Sequence, residues 1–121
     1  MFDWQEYLRL ADQLVAQTGE AEFRSAISRA YYAIYNRALA KLLEEGQIYR
    51  ADPSEPQKHK ATWDLYRVSS DTRRRQIGIS GDRLRKTRTD SDYDEESTIN
   101  AGLTDKCVKG ARRLYAAIAA L

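Results

Sequence analysis

Residues 21–46, AEFRSAISRAYYAIYNRALAKLLEEG, hold helical periodicity without interruption, a length of about seven turns. At 100° per residue, Phe23, Ile27, Ala30, Ile34 and Ala38 share one face. Tyr31, Tyr32, Tyr35, Leu39 and Leu43 widen that face beyond the stripe a single neighbour covers. A helix of this kind needs packing partners on two sides, so a chain built around it is a helical bundle. Gly46 suits the left-handed position just past the helix end.

The rest of the chain supplies the partners. Trp4, Tyr7, Leu8, Ala11, Leu14 and Val15 recur at steps of three and four, which predicts a first helix over about 3–17 with Asp3 offering its carboxylate to the first amides. QIYRADPSEPQ, residues 47–57, carries both prolines and no period, and reads as a loop with Pro56 in the first turn of the next helix. His59, Trp63 and Tyr66 mark the inner face of a third helix over about 57–70. DTRRRQIGISG, residues 71–81, is polar and contains glycine, and predicts a break, with Asp82 capping a short helix through about 91. Leu103, Cys107, Ala111, Leu114, Ile118 and Leu121 mark a last amphipathic helix. No window alternates apolar and polar residues as a strand does. The expected fold is all-α, one domain over 1–121, a compact bundle of four to five helices.

Composition narrows the chemistry. Twenty basic against 18 acidic residues leave a formal charge of +2, so overall charge does not by itself select a polyanionic partner. One cysteine rules out an intrachain disulfide, and one histidine without a CxxC pattern gives no zinc spacing. No metal and no cofactor is expected. The opening MFDWQEYLRL lacks the pattern of a signal peptide, and no stretch is apolar enough to span a bilayer. The expectation is a cytoplasmic protein with no membrane partner.

Local charge is more informative. Between Arg73 and Arg88 lie six arginines and one lysine against a single acid, Asp82, whereas residues 90–96 carry five acids and no base. Guanidinium groups fork onto two phosphate oxygens at once, so Arg73, Arg74, Arg75, Arg83 and Lys86 are candidate RNA-binding residues. Arg85, Arg88 and Asp92 fall on one helical face and form either an ion-pair network or a site, since Arg88 and Asp92 stand at i,i+4. The eight tyrosines, three of them crowded on the long helix, read as core or dimer packing before base stacking. Arg29 falls opposite the apolar face and reads as a surface residue. His59 is the one side chain whose ordinary pKa lies near neutrality, and a hydrogen-bonded core position is its first reading. Cys107 lies on the apolar stripe of the last helix and reads as core.

Three stretches in order, RSAISRAYYAIYNRA at 24–38, the histidine of QKHKATW at 57–63, and DRLRKTRTDSDYD at 82–94, resemble the HEPN superfamily of small helical proteins. The resemblance is to the subgroup encoded beside minimal nucleotidyltransferases, and it spans most of the chain. It implies a dimerising helical bundle whose active members cut RNA without a metal or act as toxins beside a nucleotidyltransferase antitoxin. Those members use an arginine followed four to six residues later by a histidine. The arginine stabilises phosphate charge and the histidine moves a proton at the 2′-hydroxyl.

At the corresponding place after Arg88 this chain has Asp90, Ser91, Asp92 and Tyr93. The nearest arginine before His59 is Arg50, across the proline-bearing loop. The expected function is therefore an RNA- or nucleotide-interacting HEPN-like protein of a prokaryotic toxin–antitoxin or defence module with a degenerate catalytic site. A metal-independent ribonuclease is the first alternative, with Arg85 and Arg88 on the phosphate and Asp92, Tyr93 or His59 replacing the motif. A structural adaptor for a nucleotidyltransferase is the second. A homodimer is expected in each case.

Overall fold

The structure is a computed structural model that describes residues 1–47 and 55–121. Five helices follow in order: α1 (Gln5–Val15), α2 (Glu20–Glu44), α3 (Glu55–Arg67), α4 (Thr72–Tyr93) and α5 (Ala101–Ala119). The all-α bundle is as expected. Most of the proposed 47–57 loop, Arg50 included, lies outside the described residues, while Pro56 falls in the first turn of α3. No described helix is long and apolar enough to cross a membrane.

The long α2 is the axis of the bundle and packs against α1, α5 and α4, with a smaller contact to α3. Ala26, Ala30, Ala33 and Ala38 are fully buried along it and let neighbouring backbones come close. Ile27, Tyr31, Ile34 and Leu42 fill the spaces between them, each with no exposed surface. On the tyrosine-widened face, Tyr31 and Tyr35 are buried within the chain, while Tyr32, Leu39 and Leu43 are half-buried. Gly46, at φ 70°, ends α2 in the left-handed conformation. Asp3 accepts the Gln5 amide at 3.0 Å at the start of α1.

The main correction concerns α4. The expected break at 71–81 is the first half of one continuous 22-residue helix, capped by Asp71, whose carboxylate accepts the Arg73 amide at 2.8 Å. Asp82 lies mid-helix and buried instead of capping a short one. The two glycines that read as helix breakers are points of close approach. A Cβ on Gly81 would stand 2.3 Å from the fully buried Trp63 ring, and one on Gly78 would stand 2.7 Å from the Arg67 amide nitrogen. Lost helix propensity, roughly 1 kcal/mol per glycine, is outweighed by bringing α4 onto α3. Helix α3 ends earlier than expected, at Arg67, and Arg75 accounts for the turn that follows by donating to the Ser69 and Ser70 carbonyls.

Candidate functional site

Where α2, α3 and α4 meet, three tyrosines pack around His59. Its imidazole stacks on Tyr35 with centroids 3.9 Å apart and lies against Tyr31 and Tyr32. Trp63 donates its indole N–H to the Tyr31 hydroxyl at 3.0 Å, and that oxygen stands 2.7 Å from Nδ1 of His59. An indole can only donate, so the Tyr31 oxygen accepts from Trp63, and the direction of its bond to Nδ1 follows the His59 tautomer. Burial, together with the charges of Arg88, Arg85 and Lys58, lowers the His59 pKa from 6.5 to about 4. His59 is therefore neutral at pH 7, as a hydrogen-bonded core residue would be.

The arginines of α4 divide among several environments. Arg88 is buried, 8% exposed, with its guanidinium 5.1 Å above the Tyr31 ring and 5.4 Å from the Tyr32 ring. Its ion pair with Asp92 is long, 3.5 Å, and its buried Nε has no hydrogen-bond partner among the described residues. Asp92 also accepts from the Ser28 hydroxyl at 3.2 Å. One turn earlier, Arg85 donates to Asp82 at 2.9 Å, and Arg67 and Lys86 reach the same carboxylate at 3.3 and 3.5 Å. Burial pushes the Asp82 carboxyl up, but the Arg85 hydrogen bond and the three cations outweigh it and hold the pKa below the usual value. Two carboxylates, Asp82 and Asp92, thus face four cations, Arg67, Arg85, Lys86 and Arg88. Asp64, shared between Lys60 and Arg67, leaves that surplus of two positive charges unchanged.

The other candidates lie elsewhere. Arg73 pairs with Asp71, and Arg74 grips Glu45 through two bonds while its guanidinium lies 5.8 Å from the Tyr66 ring. Arg75 is committed to the turn after α3. Arg83 is exposed toward α5. Tyr93 is 76% exposed on the last turn of α4, and no hydrogen bond or ring contact joins it to His59, Arg85 or Arg88 among the described residues. Of the candidates, the structure brings together Arg85, Arg88, Asp92 and His59, with Lys86 at the edge.

Two contributors were missed in the sequence. Ser28 holds Asp92, and Arg24 binds the end of α4, donating to the Asp90, Ser91 and Asp94 carbonyls at 3.0–3.2 Å and also to the Ser97 carbonyl. The signal was present in the spacing of Arg24, Ser28, Tyr31, Tyr32 and Tyr35, which places a polar and aromatic stripe along one side of α2. Arg29, expected at the surface, is half-buried with its guanidinium 5.0 Å from the Tyr7 ring and 5.8 Å from the Tyr32 ring, tying α1 to α2. Comparison with family models, curated proteins and solved structures finds no match for the chain.

Proposed function

We propose that the protein is a HEPN-like RNA-binding component of a prokaryotic toxin–antitoxin or defence module, one that holds RNA phosphate at Arg85 and Arg88 without cutting it. The observation that carries this reading is the unbalanced charge around His59. A guanidinium that is buried, loosely paired and left with an unused Nε is costly to maintain, and a phosphate oxygen near its terminal nitrogens offsets that cost. Tyr32, half-buried beside Arg88, offers a ring edge to a neighbouring base. A nucleotidyltransferase as protein partner and assembly as a homodimer belong to the same reading.

A metal-independent ribonuclease is the second reading, favoured by the placement of His59 in the Arg88 cluster. Two features weigh against it. A group with a pKa near 4 is a poor base at neutral pH, and Nδ1 is already occupied by Tyr31.

The test is the salt dependence of single-stranded RNA binding. Two phosphates neutralised by Arg85 and Arg88 contribute about −1.4 to the log–log slope, at −0.7 each. The Arg85→Gln/Arg88→Gln protein should lose that increment, and Arg74→Gln/Arg75→Gln should leave the slope unchanged. The opposite pattern would move the RNA site to the start of α4.

A further inference from the structure

A second feature lies on the other side of α4, away from His59. Helices α4 and α5 diverge around a groove of about 690 Å³. Its floor is apolar, made by Ile77 and Leu84 of α4 and by Cys107, Gly110 and Leu114 of α5. Its walls carry Arg73, Arg83, Lys106 and Arg113, and no carboxylate is among the residues that line it. Arg73 is paired with Asp71, whereas Arg83, Lys106 and Arg113 have no ion pair within the chain among the described residues. The lining runs from Thr72 to Thr87 on one helix and from Leu103 to Ala117 on the other, a length of roughly 21 Å at 1.5 Å per residue.

We propose that this groove is the docking site for an acidic amphipathic helix of a partner protein, about four turns long, with an apolar stripe flanked by Asp or Glu on both sides. The charge distribution selects this occupant. Residues 94–100 connect α4 to α5, and so short a connection makes them antiparallel neighbours. Arg73 and Arg113 then lie toward one end of the groove, and Arg83 and Lys106 toward the other. A fatty acid would place one carboxylate at one end and leave the remaining cations unused. An RNA backbone would gain nothing from the Ile77, Leu84 and Leu114 floor. A helix with acids along both flanks meets all four cations while its stripe covers the floor, the helix-in-groove mode. Glycine at 110 keeps the floor open, since a Cβ there would meet only the Arg113 guanidinium, at 4.0 Å.

The probe is a blocked 14-residue peptide with leucine at positions 3, 6, 7, 10 and 14 and glutamate on both flanks, labelled for fluorescence anisotropy against the full chain at low salt. It should bind, and the same peptide with lysine for glutamate should bind at least about tenfold more weakly, four rim charges each contributing a modest increment. Gly110→Phe, which fills the groove from an open position, should abolish peptide binding while circular dichroism and RNA binding stay unchanged. Loss of RNA binding in the Arg85→Gln/Arg88→Gln protein with peptide binding intact would leave this inference standing apart from the proposed function. No peptide binding, equal binding of the two peptides, displacement by oleate or by RNA, or a dimer that Gly110→Phe dissociates would each overturn it.

Discussion

The Tyr31 hydroxyl lies 2.7 Å from Nδ1 of His59 and takes the Trp63 indole proton at 3.0 Å, so one oxygen joins α2 to two side chains of α3. Tyr31 has no exposed surface, and burial raises its own pKa far above the usual value, which keeps its hydroxyl protonated at any ordinary pH. Tyr31→Phe removes the oxygen and leaves two buried partners unsatisfied. The expected loss is about 2–4 kcal/mol in urea unfolding, at 1–3 per stranded group with partial relaxation. A loss below about 0.5 kcal/mol would mean that water satisfies the pair.

The depressed His59 pKa makes stability depend on pH in a defined window. The folded protein holds His59 neutral to about pH 4, while the unfolded chain protonates it near 6.5. Its contribution is complete above pH 6.5 and is lost as pH falls toward 4, to a total of roughly 3 kcal/mol. Asp82, with a depressed carboxyl pKa, contributes in a lower window, its share being lost only below the ordinary carboxylate range. His59→Gln keeps a hydrogen-bond partner for Tyr31 and cannot titrate. Unfolding free energies of this variant should be flat between pH 6.5 and 4.5, where the wild type declines.

Glycines in helix interiors ordinarily gain stability on replacement by alanine, by up to about 1 kcal/mol. At Gly81 and Gly78 the sign should reverse, because the new methyl meets the Trp63 ring or α3 backbone well inside contact distance. Gly81→Ala should cost about 2–3 kcal/mol net, and Gly110→Ala, with open space around it, should stabilise. Thermal melts of the pair decide this, since propensity alone would shift both upward.

Arg24 ties three carbonyls of the α4 end and that of Ser97 to α2, and Glu20 orients it at 2.9 Å. Arg24→Ala should cost about 1.5–3 kcal/mol, as expected for hydrogen bonds from a charged donor. The loss should be local: amide exchange should accelerate over residues 90–97 and stay slow in α2. Uniform acceleration would assign the residue to global stability instead.

The bundle was legible because apolar periodicity over residues 4–15, 23–43 and 103–121 reports burial directly. Helix α4 was not, because its polar composition hides the helix and its glycines resemble breaks. Their role depends on Trp63 of another helix, which no local pattern encodes. The arginine cluster read as one surface because spacing gives the angle around a helix but not which neighbour covers it. Arg73, Arg83, Arg85 and Arg88 accordingly meet different surroundings. Arg88 with Asp92 was readable from i,i+4 spacing alone, while the approach of His59 required the pairing of α3 with α4.

The central claim, that the Arg85–Arg88–His59 cluster holds RNA phosphate without cutting it, is tested most directly in a single sample. End-labelled single-stranded RNA is incubated with the full chain in EDTA at low salt, read by anisotropy, then run on a denaturing gel. The account predicts binding with the RNA intact, and binding weakened at least about tenfold in folded Arg85→Gln/Arg88→Gln protein, two charge-assisted contacts being removed. Cleavage that disappears in His59→Gln or Tyr93→Phe, or the absence of binding by the wild type, would contradict it.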